Sequence, residues 1–415
     1  MGYVGRRTLL AGAMGVIAAA TTGPPAAAAV RRRTGKGARA GAADFRGMWI
    51  ASVSNVDWPS ESGLSAARQR TELLGLLDAA VGRSLGAVVL QVRPAADALW
   101  PSKLEPWSQW LTGKQGVDPG WDPLGTAVKE AHARGLELHA WFNPFRVANH
   151  TDLDRLVSTH PARRNPGWTV EYGGKLYYNP GLPEVRRFVQ DAMFDAVSRY
   201  PLDAVHWDDY FYPYPVAGEY FDDDEAFEEY GSGFGSRAAW RRDNIDTLVR
   251  EMSARLRALG PGPRFGISPF AVWRNSDRDP AGSPTRAGLG TYDDLYADTR
   301  KWVREGWIDY IVPQGYWHIG HPTADYADIV PWWARTVAGT DVDLYVGEAL
   351  YRCDADSPTE AWRDPGELSK HVTFARGYPE VHGHVYFSAK QVAADPNGAM
   401  ARVVADHYRS AAPRR

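Results

Sequence analysis

Cysteine is almost absent from this sequence, with Cys353 the single cysteine among 415 residues. One cysteine cannot form an intrachain disulfide, and it cannot supply a CxxC zinc site or a thioredoxin-like redox pair. The sequence also lacks a GxSxG nucleophile elbow, an HExxH zinc-binding motif and a P-loop. These absences argue against serine-hydrolase, metalloprotease and nucleotide-hydrolysing chemistry.

A strong excess of either charge is missing as well. The net charge is −3, and this balance gives no indication of a nucleic-acid or anionic-lipid partner. Aromatic residues are plentiful by contrast, with 17 Trp and 20 Tyr. Some of these rings must fill the core. Exposed Trp and Tyr faces, however, are the surfaces on which flat apolar ligands stack, including sugar rings.

Residues 1–43 do not read as part of the fold. Residues 1–30 carry Arg6-Arg7, an apolar stretch and then small residues, which predicts an export signal of the twin-arginine type. The apolar stretch, 9–20, is short for a membrane span, although an uncleaved anchor is the alternative. Residues 31–43 read as a basic flexible linker. No cysteine lies in or directly after the signal, so we expect a secreted or cell-envelope protein that is not a lipoprotein.

From Phe45 onward, short apolar runs alternate with longer amphipathic stretches, among them 65–84, 183–200, 241–259 and 292–306. Parallel strands require such crossovers. Eight units predict a single-domain α/β fold, a closed (β/α)8 TIM barrel over 44–410. An open doubly wound sheet is the alternative, but its Gly-rich first turn is missing. The eight apolar runs are FRGMWIAS (45–52), GAVVLQVR (86–93), LELHAWFN (136–143), LDAVHWD (202–208), RFGISPF (264–270), IDYIVPQGY (308–316), DLYVGEALY (343–351) and GHVYFSAK (383–390).

Most of these runs finish on a polar side chain. Active sites of parallel barrels lie at the carboxyl ends of the strands, and residues two apart on a strand share a face. A barrel interior that served only as a core would keep Val, Ile or Leu at these positions. Seven polar strand ends of one parity therefore predict a polar pocket. They include Gln91 with Arg93, His139 with Asn143, His206 with Asp208, Ser268, Gln314, Glu348 and Ser388.

The fourth run ends in VHWDDYFYPYP, which places Asp208 and Asp209 at the mouth of the predicted barrel. Two carboxylates with different pKa values are the basic apparatus of glycoside hydrolysis, one ionised and one protonated. Asp208 continues the inward parity of His206, whereas Asp209 has the opposite parity and is also placed to cap a helix. Glu348 has the inward parity, and Asp57 and Asp97 on neighbouring loops are further candidates for the second acid.

A metal site is weakly supported. YWHIGH places His318 and His321 three residues apart, but they follow a strand and a zinc site would need a third ligand. We therefore expect no metal and no cofactor.

Several long motifs resemble the glycosyl hydrolase-like 10 family across residues 44–408. They include FRGMWIASVSNVDWPS, LQVRPAADALWPSKLEPWSQWLTGKQG, LHAWFNPFR, VHWDDYFYPYP and IDYIVPQGYWHIGHP. The resemblance implies a TIM barrel and an extracytoplasmic glycosidase, with cell-wall glycan strands as the substrate of the characterised branch. By position it implies a strand-four acid at Asp208, beside Asp209 and Tyr210. The chain departs from some relatives in lacking a lipobox cysteine, and residue 348 varies in the family, which weakens Glu348 as an acid.

Together these observations predict an exported, monomeric glycoside hydrolase acting on a polysaccharide, peptidoglycan glycan strands first. Asp208 is the essential carboxylate, and the proton donor is Asp209 or Glu348, in that order. The alternative is a non-catalytic carbohydrate-binding barrel of the cell envelope, which needs the aromatic cleft but no carboxylate pair. The predicted substrate-binding residues are Trp49, Arg93, Trp141, Asn143, Arg146, His206, Tyr210, Gln314, Tyr316 and Trp317.

Overall fold

A computed structural model of the protein describes residues 44–408. The predicted export signal, 1–30, and linker, 31–43, lie outside the described residues, as do the last two residues of the predicted domain. Within the described range, no helix has the length and apolarity needed to cross a membrane.

Eight parallel strands close into a barrel within this range. The barrel strands are β1 (Phe45–Ile50), β2 (Ala87–Arg93), β3 (Glu137–Phe142), β7 (Ala204–Trp207), β8 (Arg264–Ile267), β9 (Tyr310–Ile311), β10 (Asp343–Glu348) and β11 (Val381–Tyr386). Their order is β1-β11-β10-β9-β8-β7-β3-β2, and β1 pairs in parallel with both β2 and β11. The predicted barrel is confirmed, and the first and last strands leave no open edge. Seven of the strands fall within their predicted runs, and β11 begins at Val381, two residues before the eighth run.

The long β3–β7 connection carries a small antiparallel sheet that the sequence reading did not predict. It consists of β4 (Arg146–Ala148), β5 (Thr169–Tyr172) and β6 (Lys175–Tyr178), in the order β4-β6-β5. Its strands are only three or four residues long, too short for a periodic pattern to stand out in the sequence.

Helices cover the outside of the barrel. The predicted helices at 65–84, 183–200 and 241–259 are confirmed as α1, α5 and α7, and Ser65 caps α1 by accepting a hydrogen bond from the Arg68 backbone N–H. The described helices are α1 (Ala66–Gly82), α2 (Gln109–Thr112), α3 (Pro123–Ala133), α4 (Pro161–Arg164), α5 (Pro183–Val197), α6 (Asp224–Tyr230), α7 (Arg237–Ala258), α8 (Thr291–Asp294), α9 (Thr299–Arg304), α10 (Tyr326–Val337), α11 (Glu360–Arg363), α12 (Glu367–Ala375), α13 (Ala389–Ala394) and α14 (Ala399–His407).

The single helix predicted at 292–306 is wrong, because the chain forms α8 and α9 with a break between them. Tyr296 has φ 51°, a left-handed conformation that ends a right-handed helix. Asp298 then starts α9 by accepting a hydrogen bond from the Lys301 backbone N–H.

The barrel interior is packed with rings. The rings of Phe45 and Tyr345 stack with their centroids 4.2 Å apart. Tyr310, on β9, packs in the same cluster. Gly266 makes this possible, because a Cβ at that position would lie 1.9 Å from Cζ of Tyr310. These rings pack the barrel interior below the carboxyl ends of the strands.

Candidate active site

A pocket of about 350 Å³ opens at the carboxyl ends of the barrel strands. Every barrel strand except β2 contributes to it, directly or through the loop that follows. Most of its wall is aromatic, and it contains two carboxylates, a combination typical of sugar-processing sites. The lining residues are Trp49, Trp141, Asp208, Asp209, Tyr210, Tyr214, Ser268, Phe270, Gln314, Tyr316, Trp317, Tyr351, Arg352 and Phe387.

Asp208 follows β7 and points into this pocket, as predicted from its parity. Its Oδ2 accepts a hydrogen bond from Nδ2 of Asn143 over 2.5 Å, and its Oδ1 accepts from the Tyr210 backbone N–H over 3.2 Å. Gln91 supports Asn143 from behind, with Nε2 donating to Oδ1 over 2.6 Å. Side chains at the ends of two adjacent strands therefore fix one face of the carboxylate.

Asp209 also enters the pocket, because the chain turns as it leaves β7. Its Oδ2 accepts a hydrogen bond from the Tyr214 hydroxyl, and its Oδ1 accepts from Nε2 of Gln314 over 3.1 Å. Gln314 is held in turn by donation to the Ser268 carbonyl over 3.0 Å. The side-chain partner of Asp208 thus follows β3, whereas Asp209 is bound on the other side by Gln314, which follows β9 and contacts the end of β8.

The two carboxylates differ in their electrostatic surroundings. Burial and then the Asp209 charge raise the pKa of Asp208 from 3.8 to about 7. Burial also raises the pKa of Asp209, but the hydrogen bonds from Tyr214 and Gln314 oppose that rise. Burial lifts the pKa of the Tyr214 phenol above its ordinary value of 10, so this hydroxyl keeps its proton and donates it to the hydrogen bond. Near neutral pH, Asp208 is therefore the carboxyl that carries a proton, and Asp209 is the ionised one.

Trp49 and Trp141 form part of the pocket floor. Trp49 Nε1 donates to His206 Nε2 over 3.3 Å, and Gly347 makes room for its ring, since a Cβ there would lie 3.1 Å from Cη2. Trp141 is 7% exposed, and its Nε1 has no hydrogen-bond partner among the described residues. The Nε1 atom is itself buried, so a ligand oxygen reaches it only if the ring shifts.

His206 lies beneath the floor and does not line the pocket. Burial holds its pKa well below 6.5, so the ring is neutral. With Nε2 accepting from Trp49, the proton of a neutral ring is on Nδ1, which faces the Tyr310 hydroxyl at 3.0 Å. Its Nε2 also lies 2.8 Å from the hydroxyl of Ser268, so His206 supports two lining residues, Trp49 and Ser268, and does not itself reach the pocket.

The predicted orientation of Glu348 is wrong. Glu348 is fully buried outside the barrel, where it accepts hydrogen bonds from the Tyr326 hydroxyl at 2.8 Å and pairs with His371 and His384 at 2.8 and 2.9 Å. Gly347 takes the inward position instead. Parallel barrel strands are buried on both faces, so a polar residue at a strand end does not reveal which face it occupies.

The predicted inward orientation of Ser388, at the end of the eighth run, is wrong by one residue in the same way. Phe387 lines the pocket, and Ser388 faces away, with its Oγ donating to Asp57 Oδ1 over 2.5 Å. Asp57 also accepts from the Ala51 backbone N–H and so ties the β1 loop to the end of β11. Asp97 is fully buried and accepts from the Ala95 backbone N–H. Neither of these aspartates lines the pocket.

Arg93 and Arg146 lie behind the pocket wall. Arg93 is buried in a bidentate pair with Glu105, at 2.7 and 2.5 Å. Arg146 donates to the Pro94 carbonyl over 2.9 Å, and its guanidinium lies 5.1 Å from the Tyr210 ring centroid. Its charge lowers the pKa of Asp208 and so opposes the effect of burial.

Five of the thirteen predicted site residues lie outside the lining. Eight do line the pocket, and they are Trp49, Trp141, Asp208, Asp209, Tyr210, Gln314, Tyr316 and Trp317. Those outside it are Arg93, Asn143, Arg146, His206 and Glu348, of which Asn143 touches Asp208. His318 and His321 have ring centroids 5.2 Å apart, and no group of three or more potential metal ligands occurs in residues 44–408.

The predicted catalytic and substrate-binding residues leave out six residues of the lining. Strand parity could have identified Phe387, because it lies two residues after Val385 and so on the same face of the strand. Ser268 was already recognised as a polar strand end. The others lie on loops, where no periodicity predicts orientation. The residues left out are Tyr214, Ser268, Phe270, Tyr351, Arg352 and Phe387.

Comparison with known proteins identifies the family of the chain. The sequence model of the family described as Glycosyl hydrolase-like 10 matches residues 44–364. The chain is 47% identical over 369 residues to glycosyl hydrolase YngK of Bacillus subtilis strain 168, covering 88% of this chain and 72% of YngK. It is 40% identical over 363 residues to glycosyl hydrolase DigH of Escherichia coli K12, covering 83% of this chain and 82% of DigH.

Two solved structures share the barrel. The glycoside hydrolase domain of PgaB (BpsB) from Bordetella bronchiseptica has a TM-score of 0.53 at 13% identity, covering 86% of this chain and 98% of that one. Alpha-L-fucosidase isoenzyme 2 from Paenibacillus thiaminolyticus has a TM-score of 0.52 at 11% identity, covering 88% of this chain and 50% of the other. At these identities the likeness shows the fold alone.

Proposed function

The chain belongs to the glycosyl hydrolase-like 10 family and is a glycoside hydrolase, and from that premise we propose that it cleaves the glycan strands of peptidoglycan. One observation carries the chemistry, namely that the aromatic pocket at the barrel mouth encloses Asp208 and Asp209. Support for the substrate comes from the family resemblance of the motifs and from the export signal predicted at residues 1–30.

Asp208 is the proton donor in this mechanism. Its raised pKa keeps a proton available near neutral pH, and its position at the mouth lets it reach the glycosidic oxygen of a bound strand. Asp209 acts as the ionised partner, because Tyr214 and Gln314 both donate hydrogen bonds to it. The order proposed from sequence, with Asp209 as the donor, is reversed.

In this proposal, aromatic rings around the pocket opening and the indole N–H of Trp141 bind the sugar. Tyr316, Trp317 and Phe387 are partly exposed around the opening, where apolar faces of pyranose rings stack. A shift of the Trp141 ring on binding brings its Nε1–H to a hydroxyl or carbonyl oxygen of the sugar. Binding thereby satisfies a buried donor that has no partner within the described range.

We further propose that the protein is exported, leaves no membrane anchor after signal removal and works as a monomer on a polysaccharide outside the cytoplasmic membrane. A non-catalytic carbohydrate-binding barrel would need the aromatic wall but not a proton-holding carboxylate beside an ionised one. The raised pKa of Asp208 next to Asp209 therefore favours catalysis.

Product release from purified glycan strands, with and without stem peptides, tests this proposal. The purified protein is compared with Asp208→Asn, Asp209→Asn and Asp341→Asn. Asp341 is an exposed aspartate just before β10, at the opposite end of the barrel, and serves as the matched control. We expect the two pocket variants to lose about 10²–10⁴-fold in kcat. The control should keep wild-type activity.

Two outcomes would contradict the proposal. Binding without cleavage by the wild-type protein would place it among carbohydrate-binding barrels or move it to another glycan. Equal cleavage by wild type and Asp208→Asn would remove Asp208 from the mechanism while leaving a glycosidase.

A further inference from the structure

We propose that the sugar itself supplies the nucleophile, so that this enzyme requires a 2-acetamido sugar on the non-reducing side of the bond it cleaves. The acetamide carbonyl oxygen attacks C1, with Asp209 holding the acetamide N–H and Asp208 protonating the leaving oxygen. This inference rests on the proposed glycosidase function, and it concerns the identity of the nucleophile within it.

The first observation is the placement of the acids. A double displacement on an enzyme carboxylate needs a nucleophile facing C1 and an acid at the leaving oxygen, two groups that flank the bond. Asp208 and Asp209 are consecutive residues after one strand, so both come from the same wall of the pocket. They are the only carboxylates among the lining residues in the described part of the chain.

The second observation is the composition of the opposite wall. In the barrel order, β11 lies four strands from β7 in either direction and is therefore diametrically opposite. Phe387 follows β11, and Trp49 lies on the adjacent β1. Tyr351 and Arg352 follow β10, on the other side of β11. None of these side chains is a carboxylate, so this wall offers stacking surfaces and a cation but no acid.

Asp209 has the chemistry to orient an acetamide. An ionised carboxylate accepts about four hydrogen bonds, and the structure fills one on each oxygen, from Tyr214 and Gln314. The remaining lone pairs can accept the acetamide N–H. As the carbonyl oxygen bonds to C1, positive charge develops on the N–C–O unit, and the Asp209 charge stabilises it more strongly than it stabilises the neutral amide.

The step balances without any other reactant than water. The acetamide oxygen forms a bond to C1 as the C1–O bond to the leaving sugar breaks, and the Asp208 proton passes to the leaving oxygen. Water then attacks C1, gives its proton back to Asp208 and opens the oxazolinium ring to restore the acetamide. Two displacements at C1 give net retention of configuration.

Two features of the acids fit this sequence of events. Asp208 must act as acid and then as base, and a pKa raised to about 7 suits both roles. Asp209 must stay ionised throughout, and its two hydrogen-bond donors serve that end. The assignment thus gives each of the adjacent acids a separate task.

The test compares N-acetylated glycan strands with the same strands after chemical removal of the acetyl groups. It also measures binding of a sugar thiazoline, a stable mimic of the cyclic intermediate, by calorimetry. We expect cleavage of the acetylated strands only, retained configuration by NMR, and tight thiazoline binding that Asp209→Asn weakens by about 100-fold or more. Tyr214→Phe keeps the ring and removes the donor, and it should weaken thiazoline binding less than Asp209→Asn does.

Each other result has a defined meaning. Cleavage of both substrates at similar rates, failure to bind the thiazoline, or inverted configuration would overturn participation of the acetamide and leave the glycosidase intact. Covalent labelling of Asp209 or Tyr214 by a 2-deoxy-2-fluoro glycosyl donor would overturn it too, because the nucleophile would then be an enzyme group. Cleavage of no strand, with no thiazoline binding, would remove the proposed function as well.

Discussion

Asn143 donates a hydrogen bond from Nδ2 to Oδ2 of Asp208 over 2.5 Å, at the ends of two neighbouring barrel strands. This bond stabilises the ionised carboxylate and so lowers the pKa of Asp208 against the larger effect of burial. Gln91 supports Asn143, so the orientation of the acid is set from outside the pocket. Asn143 is thus a positioning residue.

Removal of this bond should shift the pH profile. In Asn143→Ala, the pKa of Asp208 rises further because its ionised form loses a donor. We expect the basic limb of kcat/KM to move to higher pH, with kcat lower by about 10–100-fold as the acid loses its orientation. A pH–rate profile from pH 4 to 9 measures both effects, and an unmoved basic limb would show that Asn143 does not tune the acid.

Wild-type activity should itself depend on pH in a bell shape. Asp208 must be protonated, so activity falls as pH rises through its pKa of about 7. Asp209 must be ionised, and its pKa is raised from 3.8, so activity also falls on acidification. Initial rates across this range give the two limbs. Full activity at pH 9 would contradict the role of Asp208 as proton donor.

The same raised pKa predicts a stability effect in Asp208→Asn. A carboxyl whose pKa is higher in the folded state binds its proton more tightly there, so folding loses stability as pH rises from 3.8 to about 7. The amide has no charge to bury. The melting temperature of the variant relative to wild type should therefore increase between pH 4 and pH 8, and a constant difference would contradict the raised pKa.

Trp141→Phe separates binding from stability. Phe keeps an aromatic ring but removes the indole N–H, which has no partner among residues 44–408. We expect KM for glycan strands to rise by about 5–10-fold, the value of one hydrogen bond, with kcat nearly unchanged. The smaller ring also loses packing in the buried cluster to which Trp141 belongs, so the free energy of unfolding is measured separately by chemical denaturation, and KM is compared at a temperature where both proteins are folded. Equal KM values would mean that the donor does not meet the substrate.

Glu348→Gln should destabilise the fold and leave the chemistry in place. Burial disfavours the charged forms of Glu348 and His371. Pairing with His371 and His384 nevertheless lowers the pKa of Glu348, and pairing with Glu348 raises the pKa of His371. The Glu348 contribution is present above pH 4.5 and lost as pH falls. The His371 contribution is present below pH 6.5 and lost as pH rises through its folded pKa.

The loss of unfolding free energy in Glu348→Gln is therefore expected to be largest between pH 4.5 and 6.5, at about 3 kcal/mol. Chemical denaturation at pH 5.5 and pH 8 measures it. At a temperature where the variant is folded, kcat should change little, and a loss comparable with that of Asp208→Asn would return Glu348 to the catalytic residues.

Gly266→Ala and Gly75→Ala form a matched pair. A Cβ at Gly266 would overlap the Tyr310 ring, so this variant should lose about 3 kcal/mol or more of unfolding free energy. Gly75 is exposed within α1, and a Cβ there meets nothing within 4 Å. Alanine should stabilise that helix by about 0.5–1 kcal/mol. Thermal unfolding distinguishes the two, and opposite signs are expected.

The sequence by itself determined the barrel and the position of its principal acid. Eight apolar runs separated by amphipathic stretches permit few folds other than a parallel barrel, because each parallel pair needs a crossover. In such a barrel the end of the fourth strand lies at the mouth, so the sequence placed Asp208 beside the site, and its inward orientation was a prediction that the structure confirmed. Long aromatic loops after the strands gave the sugar-binding character.

Only the tertiary structure decided which residues surround that acid. Glu348 and Gly347 exchange their predicted faces because strands buried on both sides show no alternation of polar and apolar residues. Gln314 lies 105 residues from the Asp209 that it contacts. A pattern within one segment cannot report such a pairing, nor the desolvation that raises the pKa of Asp208. Those properties arise when distant strand ends are brought to the same mouth and water is excluded from it.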